Sequence, residues 1–462
     1  MSTNTELLVE GRNYIYGEFV VRRMGDEYEN INPATGKSLG TFPQSTPTEV
    51  SNTYANAREA FPAWRAKSRS ERAEILNNVA RLVDERRGEL ARIISLETGK
   101  NYNESIAEVN EALHMAQFAF GSGRTPTGDI VASELAEKDS YMIRKPKGVI
   151  AIVSPFNFPL AIGPFWCAAP ALVEGNTVII KPSEDAPWST QAAAEIYHDA
   201  GIPAGVLQVV HGDGLVGGLL TREDVDHICF TGSAEVGQLI RQEAAKSWHK
   251  TTSCEMGSKS ACIVFDDADI DMAVDAAIAS AFKLSGQRCV SSGRMIIQRG
   301  VYDEFCEKFA AKASELETGS PFNDDSTVNT KMYYGPIVNK QGFDKVVSYN
   351  DMVMNDPLAE VVVAPVRMLT DDNVYCISPM VYKTEWRGHD APYLRNEVFG
   401  PHVSLIPFDT VQEGVEIYND TEYGLAVGIL TNNYRTARYC RDNCDAGMCY
   451  WNGGSIAAES HL

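Results

Sequence analysis

The sequence of 462 residues contains no apolar run approaching the ~20 residues needed to cross a bilayer. Its opening, Met1-Ser2-Thr3-Asn4-Thr5-Glu6, has neither a basic segment nor an apolar core, so neither a membrane span nor an export signal is expected. No repeat of fixed period and no low-complexity tract interrupts the chain, which excludes solenoids and long disordered linkers. Positive charge is in deficit: 41 Lys and Arg against 62 Asp and Glu leave a formal net charge of -21. A surface of that sign repels nucleic acid and anionic lipid. The ten cysteines lack the C-x2-C spacing of a zinc site. Nor is this a small, disulfide-stapled secreted domain, so they read as reduced thiols, several in apolar runs such as His227-Ile228-Cys229-Phe230. The cytoplasm is the expected compartment. No metal is expected, even at Cys440, Cys444 and Cys449, whose nearest following histidine is His461.

Apolar material is plentiful, at 44% of residues, and the length exceeds that at which a single core stops growing, so at least two domains are expected. The first ~45 residues carry short strands and turn signals such as Asn32-Pro33-Ala34-Thr35-Gly36. From Thr48 to about Phe120 apolar residues recur at helical spacing, as at Ile75, Val79, Leu82 and Val83, which predicts two long helices broken near Thr98-Gly99. Gly121 to Lys147 is rich in glycine and proline and reads as a connection leaving the domain body. Then the text alternates. Runs at Gly148–Val153, Thr177–Lys181, Val206–Val210 and Val225–Phe230, with helical patterns between them, predict a parallel sheet covered on both faces. A second βα pattern starts at Ser260–Phe265, continues in a helix from about Ile270 to Leu284, and includes strands at Arg294–Gln298 and Val403–Phe408. A domain boundary near Gly257 would set Glu255 and Cys289 on opposite sides of one cleft, a common place for an active site.

Cys289 lies in Gly286-Gln287-Arg288-Cys289, about one helix and one strand after Cys254-Glu255-Met256-Gly257-Ser258-Lys259. A thiol that attacks a carbonyl and a carboxylate that activates water are the two halves of acyl chemistry through a thioester. An ordinary thiol, with a pKa of about 8.5, needs activation near neutrality. A Cys-His hydrolase is the rival reading, but none of the eight histidines sits in a recognisable partner motif. Asn157, in Ser154-Pro155-Phe156-Asn157-Phe158-Pro159, is either a turn residue or, with the Cys289 N–H, half of a two-donor oxyanion hole. Thr231-Gly232-Ser233-Ala234-Glu235-Val236-Gly237 joins a strand to a helix and is either an ordinary turn or a pyrophosphate seat. Lys181-Pro182-Ser183-Glu184 follows a strand at its carboxyl end and is either a solvated pair or a ribose site; Glu184 would repel a 2′-phosphate, favouring NAD over NADP.

Together these motifs, with Glu397-Val398-Phe399-Gly400-Pro401, resemble the aldehyde dehydrogenase superfamily from about Asn30 to Gly454. The resemblance implies an α/β fold with a Rossmann-type parallel-sheet NAD-binding domain (1–123 and 147–256) and an oligomerisation arm (124–146). An α/β catalytic domain (257–445) and a carboxyl-terminal segment (446–462) complete the expected organisation. It implies Cys289 as nucleophile, Glu255 as the base for deacylation and Asn157 as oxyanion donor. The implied cofactor residues are Lys181, Ser183, Glu184, Gly214, Phe230, Gly232, Ser233, Gly237, Glu397 and Phe399. Phe158 and Phe165 would form an apolar tunnel wall, and Arg288 or Lys283 a carboxylate anchor for a semialdehyde. The expected reaction is oxidation of an aldehyde by NAD to a carboxylate; a coenzyme A-acylating relative and a cofactor-independent cysteine esterase are the alternatives. The sequence departs from the family pattern at Met256-Gly257-Ser258, where Leu-Gly-Gly is usual, and at Phe156, where Trp is common. It also stops at Ala457-Ala458-Glu459-Ser460-His461-Leu462, without the family's Pro-Phe-Gly-Gly segment and last strand. A homodimer or homotetramer is expected, with that tail missing.

Overall fold

The computed structural model describes residues 8–21, 26–370 and 373–456. The β-branched runs form parallel strands because a strand apolar at successive positions is stable only when both sheet faces are covered. Val149–Val153, Thr177–Lys181 and Leu207–Val209 are buried almost throughout, and each fully buried Val or Ile contributes roughly 1.5–3 kcal/mol relative to exposure. They belong to a seven-stranded sheet in the order Thr251–Glu255, His227–Thr231, Val149–Val153, Thr177–Lys181, Leu207–Val209, Asn13–Ile15, Glu18–Val20. The last two form an antiparallel hairpin attached through the Tyr14–Val209 pair, so the turn-rich amino-terminal segment closes one sheet edge.

The stretch read as two long helices contains four: Pro47–Ala66, Arg69–Glu85, Arg87–Thr98 and Tyr102–Ser122. Capping explains the extra break at Ser68, while the one at Arg86 has no side-chain cap. Thr46 with Glu49 and Ser68 with Glu71 each form a reciprocal capping box, and Lys67 between the first two helices is extended. The break at Gly99, φ 72°, falls where it was expected. Beyond Ser122, the strands Gly128–Val131 and Ser140–Ile143 pair as a hairpin with Ile130, Val131, Tyr141, Met142 and Ile143 exposed.

A second seven-stranded sheet runs in the order Glu360–Val363, Met380–Lys383, His402–Phe408, Arg294–Gln298, Ala261–Val264, Ala426–Leu430, Met448–Trp451. Alternate residues of Ala261–Val264 feed two cores, Cys262 and Val264 on one face, Ala261 and Ile263 on the other. The helix expected to reach Leu284 spans Ile270–Phe282 and passes into a tight turn in which Leu284 (φ 53°) and Ser285 (φ 58°) are left-handed. Helical periodicity could not reveal that turn, because tertiary hydrogen bonds hold it. Among the described residues no helix is long and apolar enough to cross a membrane, and no cluster of three metal-ligating side chains occurs. All ten cysteines are free thiols. His461 and the terminal segment from 457 lie outside the described residues.

Candidate active site

In the first sheet the chain proceeds from Val149–Val153 to Thr177–Lys181 on one side and returns on the other as His227–Thr231. The gap between Val153 and Thr231 is therefore a topological switch point, where ligands of open α/β sheets bind at strand carboxyl ends. The loop carrying Asn157 leaves from one side of this gap and the Gly232-Ser233 turn from the other. Asn157 is 4% exposed. Its Nδ2 donates to the carbonyl of Gln287 at 2.9 Å, and its buried Oδ1 has no partner among the described residues. An amide nitrogen carries two hydrogens, so one remains free beside the Cys289 loop.

That loop is held by its neighbours. Ser285 Oγ donates to the carbonyl of Gly335 at 2.6 Å, and Gln287 Oε1 accepts from the N–H of Val338 at 3.0 Å. Ser258 Oγ donates to the carbonyl of Cys289. The Cys289 thiol is pushed up to about 11, chiefly by burial, then by the Glu397 carboxylate and, less, by that of Glu255. Both carboxylates thus act on it electrostatically. Glu255 ends its strand with its side chain exposed, whereas Glu397 is held by the N–H of Ser258 at 2.9 Å and raised by its own burial. A Cβ on Gly257 would come within 2.3 Å of Glu397 Oε2, so only glycine permits this approach.

Lys181 is almost wholly buried and its Nζ lies 3.1 Å from Glu184 Oε2, with Glu184 reaching solvent. Ser183 Oγ accepts from the N–H of Asp185 at 3.3 Å. Ser233 caps the helix Ala234–Ala244 by accepting from the N–H of Val236, and the Phe230 ring packs beneath Gly232. Gly237 is buried, its N–H spent on the Ser233 carbonyl, and a Cβ there would come within 2.5 Å of Met256 Sδ. It serves the approach of helix to strand and presents no free amide. Gly214 opens the helix Gly214–Arg222 behind the capping carboxylate of Asp213. Phe399 has left-handed φ, 60°, and meets Phe156 edge-on at 6.0 Å.

Of the expected tunnel residues, Phe158 is at the site and Phe165 is not. Phe165 has no exposed surface and packs on Tyr197 at 5.8 Å, while its neighbour Trp166 stacks on Phe158 at 6.4 Å. The cause is the π-helical turn Ala161–Cys167, whose i→i+5 bonding advances side chains relative to an α-helix. Arg288 donates through Nη2 to Glu104 Oε1 at 2.7 Å, and its buried Nε has no partner among the described residues. Its guanidinium lies 5.2 Å from the Phe158 ring centre.

A nucleophile candidate, two carboxylates acting on it and an amide donor beside it thus meet where two α/β sheets adjoin. The aldehyde dehydrogenase family model matches residues 20–462. The chain belongs to the aldehyde dehydrogenase family. It is 34% identical over 454 residues to an alpha-ketoglutaric semialdehyde dehydrogenase of Bacillus subtilis, covering 97% of this chain and 90% of that protein. It is 33% identical over 439 residues to a malonate-semialdehyde dehydrogenase of Bacillus velezensis, covering 95% and 88%. Among solved structures, a betaine aldehyde dehydrogenase variant of Staphylococcus aureus in complex with NAD+ superposes with a TM-score of 0.90 at 27% identity, covering 97% of this chain and 90% of that one. This aldehyde dehydrogenase is accordingly an oxidoreductase that acts on aldehydes.

Sequence reasoning missed Trp166 and the buried acid Glu108. The second left a signal: in Tyr102–Ser122 it shares the core-facing stripe with Ser105, Val109 and Ala112, where a carboxylate is out of place unless it has partners.

Proposed function

We propose that this aldehyde dehydrogenase oxidises its substrate to a carboxylate with NAD as hydride acceptor, through a thiohemiacetal and a thioester on Cys289. The residues present suit a dinucleotide. Helix Ala234–Ala244 offers its first-turn amides at the switch point, and Lys181 with Glu184 stands at the end of the next strand but one. The NAD complex of the S. aureus relative supports the same reading. Ser233 would hold the pyrophosphate, Lys181 and Glu184 the adenosine ribose, and Glu397 the nicotinamide ribose. NAD, when bound, accepts the hydride whose loss turns the Cys289 adduct into a thioester. Asn157 Nδ2 and the Cys289 N–H take the developing oxyanion. Glu255, exposed to solvent, removes a proton from the water that cleaves the thioester.

The observation that carries this reading is the Asn157 amide bound to the Gln287 carbonyl, one hydrogen to spare, two residues from a thiol that both Glu255 and Glu397 influence. In Glu255→Gln, mixing with aldehyde and NAD should release a burst of NADH, stall, and leave an acyl adduct on Cys289 by mass spectrometry. Undiminished steady turnover, or the absence of any burst, would give Glu255 another role. NADH formation sustained over many turnovers without coenzyme A excludes both the acylating and the esterase alternatives.

A narrower substrate class is favoured by two observations. Both Bacillus relatives are named for semialdehydes that carry a carboxylate, and Arg288 keeps a buried Nε, beside Phe158, that has no partner among the described residues. A panel of aldehydes with and without a terminal carboxylate, ranked by kcat/KM, tests this; preference for uncharged aldehydes overturns it. The exposed apolar hairpin Gly128–Val131/Ser140–Ile143 we assign to contact with a second copy of the chain, measurable by light scattering. Ten free thiols suit the reducing cytoplasm.

A further inference from the structure

Two loops must be aligned to a fraction of an ångström in the proposed reaction, and they come from different sheets. The Asn157 loop leaves the first sheet after Val153; the Cys289 loop enters the second before Arg294. One helix touches both. Tyr102–Ser122 carries Glu104 and Glu108, four residues apart and therefore on one face. Glu108 Oε1 accepts from the N–H groups of Leu160 at 2.9 Å and Ala161 at 3.1 Å. Its Oε2 pairs with Lys100 Nζ, and both side chains are fully buried. Lys100 Nζ in turn donates to the carbonyl of Asn157 at 2.8 Å and lies 4.0 Å from the Phe158 ring centre. The buried pair thus grips the segment from Asn157 to Ala161 by a carbonyl, a ring and two amides. One turn earlier, Glu104 Oε2 accepts from the N–H of Leu284 at 3.2 Å while Oε1 takes Arg288. Leu284 is the first of the left-handed residues that set the path to Cys289.

We propose that Tyr102–Ser122, with Lys100 just ahead of it, indexes the oxyanion loop against the nucleophile loop, Glu108 and Lys100 holding the first and Glu104 the second. These are positioning residues. None need touch substrate, and a buried ion pair is poor as a source of stability but well suited to fixing one geometry. The inference rests on the proposed roles of Asn157 and Cys289.

The test compares Glu108→Leu, Glu108→Gln, Glu104→Leu and the double variant Lys100→Met with Glu108→Leu, which leaves no unpaired buried charge. Three readouts are taken: hydrogen exchange of the peptides around Leu160 and Leu284, alkylation of Cys289 by iodoacetamide, and the NADH burst. Glu108→Leu and the double variant should speed exchange near Leu160 and lower the burst rate by about 10²-fold. Alkylation should change less than in Glu104→Leu, because Glu108 and Lys100 act on the thiol's loop through the Asn157 loop rather than directly. Glu108→Gln retains an acceptor for both amides and should keep the burst within about tenfold. Glu104→Leu should instead speed exchange near Leu284 and change alkylation. Equal effects of Glu104 and Glu108 variants on both peptides and on alkylation would overturn the proposal, as would a double variant with native burst rate. If the parent protein makes no NADH from any aldehyde, the functional reading falls; exchange and alkylation still decide the indexing.

Discussion

In the sheet around Val149–Val153, the residues assigned to the cofactor leave from strand carboxyl ends: Lys181 from one, Gly232 and Ser233 from another. In the sheet around Ala261–Val264, the nucleophile and the residues that hold its loop enter at strand amino ends, whereas Asn157 and Glu255 come, like the cofactor residues, from carboxyl ends of the first sheet. Ser258 precedes Ala261–Val264, Cys289 precedes Arg294–Gln298 and Glu397 precedes His402–Phe408, three adjacent strands. The difference is electrostatic before it is geometric. A strand's carboxyl end leads to a helix amino terminus, whose free amides and positive dipole end receive phosphate without added side chains. The amino ends offer no such field, so their loops are fastened individually. Lys259 Nζ donates to the carbonyls of Tyr393 at 3.0 Å and Asn396 at 2.7 Å, and the buried Arg294 guanidinium binds the carbonyls of Lys259, Ile417 and Tyr418. Burial brings Lys259 down to about 7, so this fastening loses its charge readily. One side recognises by backbone field, the other by locked side chains.

The largest effect that can test this division is at Cys289. Cys289→Ser should lower NADH formation by on the order of 10⁴-fold or more while NAD affinity, measured by calorimetry, stays unchanged. Loss of NAD binding would mean that the two sides are not separable. The next effect concerns the locked thiol. Because burial and Glu397 hold it up at about 11, alkylation of the protein without cofactor should rise with pH, by about 10³-fold between pH 7 and pH 10. A plateau below pH 8 would show that the thiol is activated before any cofactor arrives. Asn157→Ala should lower turnover by roughly 10²–10³-fold with little change in NAD affinity, the usual cost of one oxyanion donor. An effect confined to cofactor binding would make Asn157 a cofactor residue, like its neighbours at the strand carboxyl ends. Smallest is cofactor choice. The Glu184 carboxylate accepts ribose hydroxyls but opposes a 2′-phosphate, and Lys181 offsets part of that repulsion. NAD should be preferred over NADP by at least about tenfold in kcat/KM, ~1.4 kcal/mol, less so at high salt, and Glu184→Gln should narrow the gap. A parent enzyme that prefers NADP would remove Glu184 from the ribose.

Four strands of the first sheet were legible because they are short apolar runs, each followed by a glycine- or proline-containing turn, three of them at Asn157, Lys181 and Ser233, whereas Thr251–Glu255 and the amino-terminal hairpin carry no such run. The capping box at Ser68 is equally local and marks one of the two further helix breaks, whereas the break at Arg86 carries no side-chain cap. Other features had no local mark. Phe165 and Trp166 are adjacent aromatics, and only the π-turn decides which one meets Phe158. Gly237 stands in a glycine-rich turn, yet its N–H is spent inside the helix and its place is dictated by Met256.

By itself the sequence determined the order of strands and helices, the family and the chemical types at the site, because these depend on residues close together in the chain. Tertiary structure alone decided how the groups are held: Glu397 against Gly257, Asn157 on Gln287, and Glu104 and Glu108 reaching across to two loops. Those contacts join residues tens to hundreds of positions apart, and hydrophobic periodicity and turn chemistry carry no information over such distances.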